Sequence, residues 1–293
     1  MVTAAERGTT AATPAQTSPG PLSSLSAVPH PRPLVRPTER SYVVQANVGT
    51  TNKQRSHHDQ QQQRPPGSRP GGTGAVGEGI VRAFLNAGAD VVVPTRTPQR
   101  ADEFRQVLGS AATDRLHLVV HDYTTFAGAE GLAAEMERRL GGIDDVVAPI
   151  GGWWAGKKLW EIDEADWQTA FVGLATTHMA VMRATVPRLS ALGAYTLIVG
   201  TSAFTPIPGS GLVSMEQAAL SMMTEVLRAE QKRAFTLVLG PVRTRVADSG
   251  DVTADQVGEI AVAATTGGGG GGEIRVRDRT EFEAAMGGLS LRR

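Results

Sequence analysis

Gly71-Gly72-Thr73-Gly74-Ala75-Val76-Gly77-Glu78-Gly79-Ile80-Val81-Arg82-Ala83-Phe84-Leu85 is the stretch on which the fold turns. Glycines 71, 74 and 77 stand at G-x-x-G-x-x-G spacing and run directly into an apolar helical pattern. Gly88 ends that helix, and Ala89-Asp90-Val91-Val92-Val93-Pro94 reads as the strand after it. A glycine loop that opens a helix lets backbone approach a pyrophosphate with no side chain in the way. The helix N-terminus then offers unpaired N–H groups and the positive end of its dipole. Glycine also marks ordinary turns, but helix, glycine and apolar strand in succession give this one the form of a dinucleotide-binding loop. Gly71, Gly74, Val76 and Gly77 are its candidate ligand-facing residues.

Such a loop ordinarily follows a buried strand, and Gln60-Gln61-Gln62-Gln63-Arg64-Pro65-Pro66-Gly67-Ser68-Arg69-Pro70 cannot be one. Four glutamines bury nothing, and the prolines remove ladder donors. The nearest candidate lies more than twenty residues upstream, in Ser41-Tyr42-Val43-Val44-Gln45-Ala46-Asn47-Val48. Either that segment is the first strand with a polar insertion behind it, or the strand is absent.

The 293 residues carry no net charge, yet the charge is unevenly spread. Residues 1–70 hold eight Lys/Arg against three Asp/Glu, and ten of the 17 prolines. Residues 1–40 therefore read as a disordered, mildly basic, low-complexity tail. Residues 41–70 read as an ambiguous polar segment or insertion, and 71–293 as the folded domain. The tail's charges are scattered and lack interleaved aromatics, so no nucleic-acid partner is expected. With no cysteine, disulfides and thiolate chemistry are excluded. The six histidines show no metal-ligand spacing, and no metal is expected. No apolar run approaches the ~20 residues of a membrane span. The expected location is cytoplasmic, with an organelle transit peptide as the alternative for the N-terminus.

From Gly71 onward, helical and apolar stretches alternate. Helices are expected near 77–87, 98–108, 127–140, 163–187, 213–232 and from 253. Strands are expected at 90–94, 116–120, 143–148, 194–199, 235–239 and 273–276, with Thr280-x-x-Glu283 as the capping box of a last helix. The hexaglycine at 267–272 reads as a flexible joint. Strands separated by helices of this length build a parallel sheet covered on both faces, a doubly wound α/β fold. Its ligands bind beyond the carboxyl ends of the strands.

Over roughly residues 70–277 the order of these pieces resembles the short-chain dehydrogenase/reductase family. Gly71, Gly74 and Gly77 look like its cofactor loop, and Asp122 stands where the family's Asp meets the adenine amino group. Gly240-Pro241-Val242-Arg243-Thr244 is similar to its segment beside the nicotinamide, with Val242 and Thr244 as cofactor contacts and Leu239 replacing a Pro. Gly151 closes Ala148-Pro149-Ile150-Gly151, where the family has Asn-Asn-Ala-Gly. The second strand ends in Pro94-Thr95-Arg96-Thr97, with no carboxylate for ribose hydroxyls. The resemblance therefore implies NADP(H) over NAD(H), with Arg96 on the 2′-phosphate and a solvated Arg at a strand end as the alternative.

What the resemblance does not supply is the proton-transfer apparatus. The family's Tyr is followed four residues on by a Lys that lowers its pKa. Here the three tyrosines, Tyr42, Tyr123 and Tyr195, are followed at that spacing by Ala46, Ala127 and Val199. Aligning Gln217-Ala218-Ala219-Leu220 with the family's Lys-x-Ala-Leu puts Val213 at the Tyr and Gln217 at the Lys, while Gly173 falls at its Asn. The family's Ser survives as Ser202 or as Thr201. Trp153 and Trp154 could stack on a substrate or nicotinamide ring, or lid the core. Ser210, Ser214 and Glu216 surround the vacant Tyr position, with Glu216 expected as a solvent-facing carboxylate and His178 as a packed core or interface histidine.

Two readings follow. One is an NAD(P)(H)-dependent oxidoreductase of a small carbonyl or alcohol with a degenerate site. The other is a non-catalytic nucleotide-binding sensor or scaffold. A homo-oligomer formed through the long helices at 164–187 and 212–231 is the expectation by analogy.

Overall fold

The computed structural model describes residues 41–44, 74–152 and 154–291; for 41–44 it describes the backbone alone. Gly71 and Trp153 lie outside the described residues.

Among the described residues, seven strands form one wholly parallel sheet. They are β1 (Ser41–Val44), β2 (Asp90–Thr95), β3 (Leu116–Val120), β4 (Asp145–Ala148), β5 (Tyr195–Gly200), β6 (Ala234–Leu239) and, after two short strands, β9 (Gly271–Val276). The short pair, β7 (Val242–Arg243) and β8 (Val252–Thr253), makes a separate parallel ribbon. The main order is β3-β2-β1-β4-β5-β6-β9. Ser41–Val44, at the start of the 41–48 segment, therefore supplies the central strand. Tyr42 is level with Val91 on one side and with Asp145 on the other. Strand order reverses between β1 and β4, which opens the crevice where doubly wound sheets bind ligands.

The helices are α1 (Ala75–Asn86), α2 (Pro98–Leu108), α3 (Phe126–Leu140), α4 (Glu164–Trp167), α5 (Gly173–Thr185), α6 (Gly211–Ala229), α7 (Ala254–Thr266) and α8 (Arg279–Ser290). The strands alternate between two cores. Val92, Val146, Tyr195, Leu197 and Val238 face α3, α5 and α6, where Leu132, Met136, Val181 and Leu220 meet them. Val91, Val93, Val147, Leu237 and Leu239 face the other way, onto Ile80 and Phe84 of α1 and Val257 and Ile260 of α7. That two-sided burial is why these strands read as continuous apolar runs.

Local chemistry sets the helix starts. Thr97 caps α2, accepting from Arg100 N at 3.2 Å, with Pro98 in the first turn; Thr125 caps α3 in the same way at 3.0 Å. Several boundaries differ from the sequence reading. The last helix starts one residue before the expected Thr280 cap, because Asp278 accepts from Glu281 N at 2.9 Å. The helix expected at 163–187 is interrupted by a π-turn, Gln168–Val172, between α4 and α5. No described helix is long and apolar enough to cross a membrane.

Candidate functional site

Gly74 is the residue on which α1 begins. Its φ of 111° is a conformation that L side chains rarely adopt, and it makes no side-chain cap. Glu78 N returns to Gly74 O at 3.0 Å, so the first-turn amides ahead of it have no partner within the helix. Gly77 is buried in that turn, and Val76 packs partly against the α1–α7 core. A further glycine has a role the spacing did not reveal. A Cβ on Gly79 would stand 2.2 Å from Ala254 C, so its hydrogen admits the start of α7.

Arg96 and Asp122 come together at the ends of β2 and β3. Arg96 is exposed, and its charge acts on both Asp122 and Tyr123. Asp122 Oδ1 accepts from Thr124 N at 3.0 Å and Thr124 Oγ1 at 2.7 Å. These two bonds hold its carboxyl below the usual range, with a smaller contribution from Arg96. One oxygen of the carboxylate thus already closes its own loop.

At the far side of the crevice Ser202 is buried, and its Oγ donates to Gln217 Oε1 at 2.5 Å. Gly200 N donates to the same oxygen at 2.9 Å. Gln217 therefore reaches the end of β5 but brings an acceptor, not a charge. Val213, one turn earlier on α6, is 1% exposed. Burial pushes the Tyr123 hydroxyl up to about 12 and raises that of Tyr195, so neither is primed to give up a proton. Ser210 precedes α6 and is buried without capping it, whereas Gly151 lies where an added Cβ would meet nothing within 4 Å. Trp154 is half-buried in the loop after β4. That loop is tied to the one before α6 by Gly156 N donating to Gly209 O at 2.9 Å.

Glu216 is not the solvent-facing carboxylate expected from the sequence. It is 3% exposed, and burial pushes its carboxyl up to about 8. Its Oε1 lies 3.9 Å from Nε2 of fully buried His178 on α5. His178 is a core histidine, as one reading held: burial pushes it down to about 4, and Nε2 is 2.8 Å from Ile150 O in the loop after β4. With the ring neutral, that contact makes Nε2 the donor. The signal for Glu216 was available, since it shares the α6 stripe of Leu212, Val213, Leu220 and Leu227.

After β6, Val242 is partly buried and Thr244 closes a tight turn, its N donating to Ala247 O at 2.8 Å. The next residue, Arg245, reaches across to Glu78 in the first turn of α1. Sequence reasoning missed this contact, because 167 residues separate the partners. A groove between β9 and α8, lined by Phe235, Ile274, Ala285 and Leu289, opens at the sheet's edge, apart from these strand ends.

Comparison with known proteins agrees with this geometry. The family described as Enoyl-(Acyl carrier protein) reductase matches residues 72–268. A hydroxysteroid 11-beta-dehydrogenase 1-like protein of Xenopus tropicalis is 27% identical over 163 residues, 55% of this chain and 56% of that protein. The match thus spans just over half of the frog protein's length. An uncharacterized oxidoreductase of Staphylococcus epidermidis is 24% identical over 165 residues, 56% of this chain and 70% of that protein. Among solved structures, an alcohol dehydrogenase from the archaeon Thermococcus sibiricus, complexed with 5-hydroxy-NADP, superposes with a TM-score of 0.63 at 18% identity. The superposition covers 82% of this chain and 97% of that one. An NADH-dependent reductase responsible for alginate metabolism gives 0.60 at 16% identity, over 81% and 96%. With the glycine-opened α1, the strand order and a family match across two thirds of its length, the chain belongs to the short-chain dehydrogenase/reductase family.

Proposed function

We propose that the chain binds a nicotinamide dinucleotide, NADP(H) in preference to NAD(H), and moves hydride between it and a small carbonyl or alcohol. The observation that carries this reading is the start of α1. Gly74 at φ 111° opens α1 in a conformation that disfavours any side chain there, and the first-turn amides have no partner within the helix, an end that a diphosphate would fill. Arg96 stands at the end of β2 with no carboxylate among Pro94, Thr95 and Thr97, which favours a 2′-phosphate. Structural relatives are named for either cofactor, so the preference rests on this chain's own residues. Gly71, Val76, Gly77, Asp122, Gly151, Val242 and Thr244 complete the proposed cofactor contacts, and Trp153, Trp154 and Ser210 are the proposed substrate-side residues.

When bound, the nicotinamide supplies or accepts the hydride. The chain's own part is to orient and to polarise. Ser202 Oγ, turned from Gln217 to the substrate oxygen, would stabilise developing negative charge there. Val213 has no transferable proton, and the carboxyl of Glu216 faces His178 inside the core. Water is therefore the proton source in this reading, and turnover is slow. A homo-oligomer through α5 and α6 is part of the proposal, supported by Met179, Met215, Met222 and Val226 left exposed on those helices.

One observation favours the second reading, a nucleotide-binding sensor without turnover: Gln217 Oε1 engages both Ser202 Oγ and Gly200 N. Titration with NADPH and NADH, read by tryptophan fluorescence and followed by NADPH oxidation against simple aldehydes, ketones and quinones, separates the two. Tighter NADPH binding with slow oxidation supports the oxidoreductase. Binding without any hydride transfer leaves the sensor. A folded protein that binds neither nucleotide overturns both.

A further inference from the structure

The segment after β6 is short and tied down. β7 and β8 pair, and the bridge between Thr244 and Ala247 holds the turn between them compact. From that turn Arg245 directs a two-pronged contact at Glu78, Nε to Oε2 at 3.2 Å and Nη2 to Oε1 at 2.7 Å. The partners differ in environment: Arg245 is about half exposed, whereas Glu78 is 7% exposed. Two neighbouring contacts fix the geometry. Gly79 takes the backbone of Ala254 against α1, and Arg82 pairs with Asp255 in the first turn of α7.

Glu78 is an unusual residue for its place. A carboxylate in the first turn of a helix gains from the dipole in the free protein. The same carboxylate, buried beside a helix end that receives a diphosphate, repels the ligand, and low dielectric makes that repulsion large. Such a residue is compatible with an anion site only when its charge is cancelled in place. The guanidinium fork of Arg245 supplies that cancellation with matched geometry.

We propose that Arg245 is a diphosphate-positioning residue, which neutralises buried Glu78 and holds the turn at 244–247 beside the phosphate-facing end of α1. The inference rests on the dinucleotide reading of the site. Because NADH and NADPH share the diphosphate, both depend on Arg245 equally, in contrast to the selective role of Arg96.

The test is a titration of the full chain with NADPH and with NADH, for the unmodified protein, Arg245→Ala, Arg245→Lys and the double variant Glu78→Gln/Arg245→Ala. Arg245→Ala should raise both dissociation constants at least about tenfold by leaving a buried carboxylate unpaired. Removing that carboxylate in the double variant should return both to within about threefold of the unmodified protein, a rescue that a merely structural role would not produce. Arg245→Lys keeps the charge and should stay within about fivefold, which preserves the contrast if Arg245→Ala loses its cooperative melt. Unchanged binding by Arg245→Ala, no rescue in the double variant, or a tenfold loss with Lys would each overturn the proposal. An unmodified, folded protein that binds neither nucleotide would overturn the dinucleotide reading instead.

Discussion

Arg96 and Asp122 bring opposite charges into one small patch at the ends of β2 and β3. Only Arg96 matches the chemistry of a 2′-phosphate. Arg96→Ala is expected to weaken NADPH by roughly 10–100-fold, the loss of one charge-assisted contact, and NADH by less than about threefold. Equal losses, measured by titration, would remove its assignment. Deeper in the molecule, Glu216 and His178 respond to pH in opposite directions. Burial raises Glu216 to about 8, so its contribution is fully present below the ordinary value of 4.5 and is lost as pH rises toward 8. Burial lowers His178 to about 4, so its contribution is present above 6.5 and is lost as pH falls toward 4. Between 6.5 and 8 only Glu216 of the pair titrates. Thermal midpoints should fall across that window and stay flat in Glu216→Gln; parallel declines in the two proteins would show that another group is responsible. The identity of these residues was legible in the sequence. Their protonation was not, because it depends on what α5 places opposite α6.

At the scale of elements, α6 shows how a sequence pattern can be read and still misjudged. Its apolar stripe is legible, yet the glutamate on that stripe reads as solvent-facing, since charged residues are seldom buried. The hexaglycine is a second case. Its composition reads as a flexible joint, but Gly271 and Gly272 belong to β9, and Arg233 reaches into the rest. All five guanidinium donors of Arg233 are used, on the carbonyls of Leu192, Ala264, Thr265, Gly267 and Gly269. The cation thus caps the C-terminus of α7, where unpaired carbonyls collect, and anchors the glycine run into the sheet. Arg233→Ala is expected to destabilise the fold by roughly 2–3 kcal/mol, the worth of hydrogen bonds to a charged group. Chemical denaturation would measure the loss, and a change within about 0.5 kcal/mol, the range of an ordinary surface substitution, would refute it.

At the scale of the molecule, the decisive feature is where the central strand comes from. Residues 45–73 separate β1 from Gly74's helix, whereas a connection of this type ordinarily takes about 2–6 residues. If 45–70 is an insertion in that connection, excising residues 47–70 should leave the melting transition and the nucleotide affinities unchanged. Loss of cooperative melting would show that the excised residues support the fold. The alternation that defines the doubly wound sheet was legible throughout 71–293, as were most helix starts, whose caps are local. The pairing of β1 was not legible, because strand partnership across so long a connection is not a local property.

What the sequence alone determined was the set of local choices: apolar runs that must be buried on both faces, glycine where α1 opens, threonine and aspartate at helix starts, and the absence of any Tyr-x-x-x-Lys. Each follows from backbone sterics or from the residue's own chemistry, and needs no knowledge of its neighbours. Only the tertiary structure decided that β1 lies between β2 and β4, that Glu216 meets His178, that Gln217 engages Ser202 and that Arg245 neutralises Glu78. These are contacts between elements distant in the chain. The physical reason is that burial and charge pairing are properties of the packed arrangement, set by which faces meet when the sheet and its two layers of helices close.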